Sequence, residues 1–499
     1  MSSNNDWVAV ILAAGRGVRM RSQRPKVLHA VCGRPMVAFV LEAVRAAGIE
    51  RCVAVVGHGA EEVRASLSPE ANPPSAEGKG LAYAEQPRPR GTGDAVARAK
   101  EAAAGAGHVL VLNGDIPLVT AETVRGVMAH HLRSGADLTV LTARVDDARG
   151  LGRLQRDAAG RPVGVVEVAD MEGPSAPTGA RPGEGPAEVN AGIYAFRAQW
   201  LWPRVGSLPA SAGGERYLTS LVGIAALEGA ALETVAAADA AEGLGINDRL
   251  QLAKVEAILR ERIRRRHLLA GVTMVDPQST YIDADVTIGE DTVIYPNTTL
   301  RGRTAVGRDC AVGPNSLLVD STLGDRCRVV ASVLDGAVLE SDVEVGPFSH
   351  LRPGSYIATG AHIGNFAETK NARLGRHVKM GHFSYIGDAT VGEEANIGAG
   401  TITCNYDGVT KHRTVIGKGA FIGSDTLLVA PVTVGENAAT AAGAVVNRDV
   451  PPNSLAVGAP ARIRSRRGAA RLAPPGSAAG GRRRRAAAPI SPPRAHDRK

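Results

Sequence analysis

The chain has 499 residues, of which 44% are hydrophobic and 3% aromatic, and it carries a net charge of +8. This length exceeds what one hydrophobic core supports, so we expect two or three domains, and the scarcity of aromatic residues disfavours a base-stacking platform for nucleic acid. Residues 465–499 contain ten Arg or Lys and one Asp, so the rest of the chain is nearly neutral. The positive charge therefore belongs to one end of the chain and does not indicate a nucleic-acid-binding body.

Residues 1–246 alternate short apolar runs with helical patterns. The runs at 7–12, 52–56 and 109–112 are almost continuously apolar, as is typical of strands buried on both faces of a parallel sheet. Between the first two runs, one helical face carries Val37, Val40, Leu41 and Val44. The alternation predicts a three-layer, Rossmann-like α/β domain with a mostly parallel sheet.

Residues 247–270 have the pattern of an amphipathic connecting helix. Apolar side chains recur at helical spacing, and the opposite face is charged. The apolar positions are Leu252, Val255, Leu259 and Ile263.

Residues 271–464 change character, because an aliphatic residue followed by glycine recurs with gaps that are often multiples of six. Eleven such units run from TIGEDT at 287 to TVGENA at 433. A period of six predicts a β-solenoid in which each short strand fills one flat face and then turns. Flat solenoid faces favour packing against copies of the same chain.

The end of the chain, 465–499, is rich in Pro, Ala and Arg, and we expect it to be disordered. Five cysteines form no CxxC pair, and the first residues lack a signal-peptide pattern, so we expect a reduced, cytoplasmic protein. The longest apolar run is too short to span a bilayer.

The loop after the first apolar run, AAGRG at 13–17, has two interpretations. It lacks the third glycine of the dinucleotide fingerprint, and it is not a Walker A loop. Alone, it fits either a phosphate-binding loop or an ordinary strand-to-helix turn with basic neighbours.

The order of these segments and three motifs resemble one family. ILAAGRGVRM and RPKVLH are shared by many sugar-phosphate nucleotidyltransferases, and GHFSYIGDATVGEEANIGAGTITCNYDG is more specific. Over residues 7–460 the chain resembles the bifunctional N-acetylglucosamine-1-phosphate uridyltransferase / glucosamine-1-phosphate acetyltransferases. The resemblance implies that the solenoid is a left-handed β-helix of hexapeptide repeats and that the protein is a homotrimer. It also implies synthesis of UDP-N-acetylglucosamine from UTP, acetyl-CoA and glucosamine-1-phosphate, with N-acetylglucosamine-1-phosphate as the intermediate. The product would supply bacterial peptidoglycan and lipopolysaccharide. It implies neither a specific nucleic-acid partner nor membrane insertion.

The resemblance also implies a nucleotide site in the first domain. A nucleotidyl transfer joins two polyanions, so such a site must collect positive charge and backbone amides. Asp115 follows an apolar strand, where it could otherwise be only a turn residue, and with Asn247 it matches the family's Mg²⁺ ligands. By the same resemblance Arg19 and Lys26 match triphosphate-binding cations, Gln86, Gly91 and Thr92 match uracil-binding positions, and Gly152, Glu167 and Asn190 match sugar contacts. The other matching positions are Leu12, Ala13, Ala14, Gly15, Asn113 and Gly114.

A second site is implied in the solenoid. Acetyl transfer to an amine requires a base, and the imidazole of His382 titrates near the working pH; Glu368 matches the residue that orients it. The expected sugar-phosphate contacts are Arg352, Lys370, Tyr385 and Asn396. The expected acetyl-CoA contacts are Ala399, Asn405, Tyr406, Ser424, Ala442 and Arg462.

The chain departs from the family pattern at four places. Val168 and Ala169 stand where a lysine is common, the loop 172–187 is longer than usual, and QPRPRGTG at 86–93 carries two extra residues. Ala459 stands where some members have an arginine, whose role Arg462 could take. Two alternatives are a single-activity sugar-1-phosphate nucleotidyltransferase with a structural or regulatory β-helix, and a non-catalytic scaffold. The scaffold predicts loss of Asp115, Asn247 and His382, and all three are present.

Overall fold

The structure is a computed structural model that describes residues 6–68, 80–146, 148, 151–167, 186–211 and 213–465. Val168, Ala169, most of the long loop that follows them and the basic tail after Ser465 lie outside the described residues. In the part of the chain that is described, no helix combines the length and apolar character needed to cross a membrane.

The N-terminal half is an α/β domain, with the three predicted strands in place. Its strands are β1 Trp7–Ala13, β2 Ala30–Val31, β3 Arg34–Pro35, β4 Arg51–Val56, β5 Gly80–Glu85, β6 His108–Asn113, β7 Leu138–Val145, β8 Arg153–Arg156, β9 Pro162–Val166, β10 Ala187–Arg197 and β11 Leu232–Ala236. Its helices are α1 Met36–Ala46, α2 Ala60–Leu67, α3 Thr92–Arg98, α4 Ala121–Ser134, α5 Ala198–Val205 and α6 Ser220–Glu228.

The main sheet has the order β11-β7-β10-β6-β1-β4-β5. Its strands are parallel except β10, which runs antiparallel to both β6 and β7, and the β8–β9 hairpin pairs with β10. One apolar core lies between the sheet and α1, α2 and α4, and a second lies between the sheet and α3, α5 and α6. The predicted three-layer architecture with a mostly parallel sheet is therefore confirmed.

A long helix, α7 Arg249–Leu269, connects the two halves. Asp248 caps its N-terminus by accepting a hydrogen bond from the Gln251 amide at 2.8 Å, which satisfies one of the free N–H groups of the first turn. Its apolar face packs into the core of the first solenoid coils, and the hairpin β2–β3 contacts that end through Cys32, whose carbonyl accepts from the Ala284 amide at 2.9 Å. The helix thus shares the solenoid core with a few residues of the first half, among them Met20, Val31 and Leu118, apart from the two cores on the faces of the sheet.

The C-terminal half is a solenoid of short strands. They are β12 Thr273–Met274, β13 Tyr281–Ile282, β14 Thr287–Ile288, β15 Val293–Ile294, β16 Thr299–Arg301, β17 Ala305–Val306, β18 Ala311–Val312, β19 Leu317–Val319, β20 Thr322–Leu323, β21 Arg328–Val329, β22 Val333–Asp335, β23 Val338–Leu339, β24 Glu344–Val345, β25 His350–Leu351, β26 Tyr356–Ile357, β27 His362–Ile363, β28 Ala367–Leu374, β29 Lys379–Met380, β30 Ser384–Val391, β31 Asn396–Ile397, β32 Ile402–Cys404, β33 Thr414–Ile416, β34 Phe421–Ile422, β35 Leu427–Val429, β36 Val432–Val434, β37 Ala439–Thr440, β38 Val445–Val446, β39 Ser454–Val457 and β40 Arg462–Ser465.

These strands stack in three columns, one for each face of a prism. Face 1 runs from β12 through β15 and β18 to β37 and β39. Face 2 contains β13, β16, β19, β22, β25, β32, β35 and β38, and face 3 contains β14, β17, β20, β23, β26, β33 and β36. The longer β28 and β30 turn the corner from face 2 to face 3. Pairing is parallel except between β39 and the final strand β40, and the partner is usually one coil away, as for Val293, Ala311 and Arg328. This run of parallel strands is that of a left-handed β-helix, as predicted.

Buried hydroxyl groups stack along one corner of the solenoid. The side chains of Ser316, Ser332 and Ser349 are each 2% exposed, and the Ser332 hydroxyl donates to the Val330 carbonyl at 2.7 Å. The Ser349 amide in turn donates to the Ser332 hydroxyl at 3.2 Å. Each hydroxyl is therefore satisfied by backbone groups of its own coil or the next, so its burial carries little penalty.

Candidate functional site

Three side chains from distant parts of the first half meet at the carboxyl edge of the sheet. The Lys26 ammonium, on a short 3-10 turn, contacts the Asp115 carboxylate and donates to the Asn247 amide oxygen at 3.1 Å. Asp115 follows β6, and the Gln251 side chain holds Asn247 just before α7 by accepting from its backbone amide at 2.6 Å. The structure therefore brings together the three residues to which the sequence assigned phosphate and metal binding.

The donor set at this point suits Mg²⁺. The oxygen atoms of Asp115 and Asn247 converge on one compact positive charge, the Lys26 ammonium. Mg²⁺ prefers hard oxygen donors and usually takes one or two from protein, with the rest from water and phosphate. The Asp115 and Asn247 oxygens already contact one cation, the Lys26 ammonium. The two residues are therefore suited to bind Mg²⁺.

The loop 12–15 borders this cluster at the end of β1. The Gly114 amide donates to the Leu12 carbonyl at 2.9 Å, which places Asn113 and Gly114 beside the loop. A Cβ atom added to Gly15 would meet no atom within 4 Å, so the end of the loop opens to solvent. Arg19 is exposed on the 3-10 turn that follows.

A second part of the same edge contains the predicted uracil contacts. The buried Gln86 amide donates to the Gly91 carbonyl at 3.0 Å and to the Asp94 carboxylate at 2.8 Å, and the Thr92 hydroxyl accepts from the Leu218 amide at 2.9 Å. Gly91 has φ +94°, and a Cβ atom there would lie 2.5 Å from the Arg216 carbonyl. The chain therefore requires glycine at this position.

The predicted sugar contacts also come together. The Asn190 amide donates to the Gly152 carbonyl at 2.9 Å, and a Cβ atom on Gly152 would lie 3.4 Å from the Glu167 carboxylate. Thr219 donates to Glu167 at 2.6 Å, and burial, with the nearby Glu167 charge, raises the pKa of Tyr194. The structure therefore brings Gly152, Glu167 and Asn190 together at this end of the sheet.

In the solenoid, a groove of about 820 Å³ lies along face 1. Its lining runs from His362 on β27 and Lys379 on β29 to Leu455 on β39, and His382 stands beside it at the corner between β29 and β30. Five predicted site residues line it: His382, Asn396, Ala399, Ser424 and Ala442. His382 is exposed and makes no hydrogen bond to any other described residue, so its imidazole is free to act on a bound molecule.

Another group of predicted residues lies on face 2, beyond the His382 corner. Arg352 donates to the Glu368 carboxylate at 2.8 Å, Glu368 is paired in register with Tyr385, and Lys370 lies two residues further along β28. In the described structure Glu368 therefore forms an ion pair with Arg352 and makes no hydrogen bond to His382. The resemblance had implied that Glu368 orients the His382 imidazole. Arg462, at the start of β40, is exposed and does not line the groove.

A hairpin inserted between β32 and β33 carries Asn405 and Tyr406. The Asn405 side chain donates to the Asp388 carboxylate at 2.5 Å, and Tyr406 pairs with Lys411 across the hairpin. The Lys411 ammonium lowers the pKa of Lys370, so the two cations are neighbours. Sequence reasoning missed Lys411 and Asp388, although Lys411 follows the NYDG motif by only a few residues.

Comparison with known proteins agrees with this two-part architecture. Residues 9–222 match a MobA-like NTP transferase domain. The chain is 47% identical over 454 residues to the bifunctional protein GlmU of Pelobacter propionicus, covering 90% of this chain and 95% of the relative. It is 46% identical over 453 residues to that of Trichlorobacter lovleyi, covering 90% and 95%, and 43% identical over 461 residues to that of Streptomyces avermitilis, covering 92% of both. The chain belongs to the family of the bifunctional protein GlmU.

Proposed function

We propose that the chain makes UDP-N-acetylglucosamine in two steps, acetyl transfer from acetyl-CoA to glucosamine-1-phosphate and then uridyl transfer from UTP with release of pyrophosphate. The observation that carries the proposal is the presence of two separate polar sites in one chain. One is the Lys26–Asp115–Asn247 cluster, and the other is the groove that His382 helps to line.

Uridyl transfer needs the reacting oxygens held in line and the developing charge neutralised. Asp115 and Asn247 would hold Mg²⁺, which when bound neutralises charge on the phosphates. Lys26 and Arg19 add positive charge, and residues 12–15 at the end of β1 border the cluster. The cluster of Gly152, Glu167 and Asn190 offers carboxylate and amide groups for the hydroxyls and acetamido group of the sugar.

Acetyl transfer joins an amine to a thioester carbonyl. The amine nitrogen attacks the carbonyl carbon and its proton passes to a ring nitrogen of His382. The carbon–sulfur bond then breaks, and the CoA thiolate leaves and takes up that proton as the thiol. The groove would hold acetyl-CoA along face 1, with Asn405 and Tyr406 contributing from the hairpin. The cations Arg352, Lys370 and Lys411 would bind the sugar phosphate.

The exposed aromatic side chains of the solenoid support a homotrimer. Phe348, Phe366 and Phe383 are 61%, 59% and 55% exposed, and the first two rings stack at 5.3 Å. Contiguous exposed apolar surface of this kind marks contact surfaces between proteins. Packing of copies along this corner would bury the rings beside His382 and bring face 2 of one copy near the groove of another. We place this assembly in the cytoplasm, in keeping with five free cysteines.

A coupled assay tests the proposal. The purified chain, given glucosamine-1-phosphate, acetyl-CoA, UTP and Mg²⁺, should form UDP-N-acetylglucosamine, CoA and pyrophosphate. A single-activity nucleotidyltransferase would make UDP-N-acetylglucosamine only when supplied with N-acetylglucosamine-1-phosphate, and it would release no CoA. Formation of neither product would contradict both interpretations and favour a scaffold.

A further inference from the structure

The short turn that carries Arg19 packs directly against Lys26. Residues Val18–Met20 form one 3-10 turn, which we call the Arg19 turn, and its flanking residues Gly17 and Arg21 have φ angles of 63° and 49°. A Cβ atom added to Gly17 would lie 2.6 Å from the Lys26 Cβ atom. Only glycine therefore allows the turn to approach Lys26 this closely.

The Arg19 side chain is not fixed by contacts of its own. It is exposed, and its guanidinium donates no hydrogen bond to any residue in the described part of the chain. The next residue, Met20, is 1% exposed and packs in the core that α7 shares with the solenoid. The position of Arg19 therefore depends on how the turn is anchored.

Arg249, the first residue of α7, contacts this turn from the helix. Its Nε atom donates to the Met20 carbonyl at 3.3 Å, and its Nη1 atom lies 3.4 Å from His29 Nδ1. His29 is 5% exposed, and burial, with the charges of Arg249 and Arg24, lowers its pKa. The neutral imidazole is therefore favoured, and its Nδ1 atom can accept a hydrogen bond from the guanidinium.

The same end of α7 carries Asn247, whose amide oxygen accepts from the Lys26 ammonium at 3.1 Å. A planar guanidinium presents several donors in fixed directions, so the single side chain of Arg249 can hold two acceptors at once. One acceptor belongs to the Arg19 turn and the other to the segment that follows Lys26. Arg249 thus connects both cation-bearing segments to the helix end that places Asn247.

We propose that Arg249 is a positioning residue for uridyl transfer, which fastens the Arg19 turn to α7 and keeps Arg19 beside the proposed Mg²⁺ site. Arg249 acts through Arg19 and does not itself contact the triphosphate. This inference rests on the proposed function of the first domain, and it adds a residue to which the sequence assigned no role.

A double-mutant cycle tests the proposal, with the Kd of UTP measured by calorimetry on the full chain. Mg²⁺ is present and sugar phosphate is left out, so that no transfer occurs. Arg249→Met removes the donors and keeps an unbranched side chain, and it should weaken UTP binding by about tenfold, the scale of one lost hydrogen bond to a charged group. In the Arg19→Ala background the same substitution should change the Kd by less than about twofold, because the turn no longer carries the cation.

Arg266→Met is the matched control. This exposed arginine, at the other end of α7, also donates to a backbone carbonyl, that of Ala284 at 3.1 Å, and also contacts an imidazole, that of His267 at 3.5 Å. Its loss should leave the Kd of UTP within about twofold of the parent in both backgrounds.

Equal UTP affinity of Arg249→Met and the parent would overturn the proposal. An equal loss of affinity with and without Arg19 would also overturn it, since Arg249 would then act on UTP directly or through the fold as a whole. A parent chain that neither binds nor transfers UTP would instead overturn the proposed function, and this inference with it.

Discussion

The substitution His382→Ala should lower the rate of acetyl transfer without a matching loss of fold stability. The His382 side chain is exposed and makes no hydrogen bond to another described residue. Its removal should therefore change the free energy of unfolding by no more than about 0.5 kcal/mol, or about 1–2 °C in Tm. If the imidazole is the general base, acetyl transfer should still fall by roughly 10²–10⁴-fold.

The assay follows thiol release from acetyl-CoA with glucosamine-1-phosphate as acceptor, beside uridyl transfer from N-acetylglucosamine-1-phosphate. Uridyl transfer should stay at the parent rate, and higher pH should partly restore acetyl transfer because more amine is deprotonated without help. His377→Asn is the control: this exposed histidine sits at the preceding solenoid corner and faces Gly360, outside the groove. An acetyl-transfer rate within a few-fold of the parent, in a protein that folds, would refute the assignment of the base.

Three further predictions concern other parts of the chain. Asp115→Ala should abolish Mg²⁺-dependent uridyl transfer and leave acetyl transfer intact, whereas equal loss of both in a folded variant would contradict two independent sites. Truncation after Ser465 should leave both activities near the parent values and reduce retention on a cation exchanger, because the removed segment is the basic one. Burial lowers the pKa of His131 to about 3 and that of His267 to about 4, so the unfolded chain binds protons that the folded chain excludes. The free energy of unfolding should thus fall as the pH drops below about 6.5, by about 2 kcal/mol for each of these histidines at about pH 5. Denaturant unfolding at about pH 6.5 and about pH 5 measures this loss, and His267→Gln should reduce it.

The spacing of apolar residues along the chain was enough to predict the fold class of each half. Val37, Val40, Leu41 and Val44 are fully buried on one face of α1, because a 3.6-residue period leaves one face for the sheet. The aliphatic–glycine units likewise became stacked solenoid strands. The antiparallel direction of β10 was not predicted, since strand direction depends on which distant strands become neighbours and not on the local pattern.

The site was predicted in its residue types but not in its geometry. Resemblance named Lys26, Asp115 and Asn247, yet nothing local in the sequence says that residues so far apart in the chain meet around one charge. The roles of these residues stay predictions. The Arg352–Glu368 ion pair was not predicted, and neither was the neighbouring pair Lys370 and Lys411, because both depend on which coil lies above which.

The solenoid tolerates additions at its corners. Asn396 pairs with Phe421, a step of 25 residues, whereas Phe421 pairs with Ala439, a step of 18. The extra residues form the hairpin with Asn405 and Lys411, and the ladder continues beyond it in register. Because each coil contacts only its neighbours, stability is close to a sum of local terms, and the chain can lengthen at a corner without reorganising distant coils. Functional residues can therefore be gained or lost in this fold through one corner insertion at a time, while the stacked strands beneath the insertion keep their pairing.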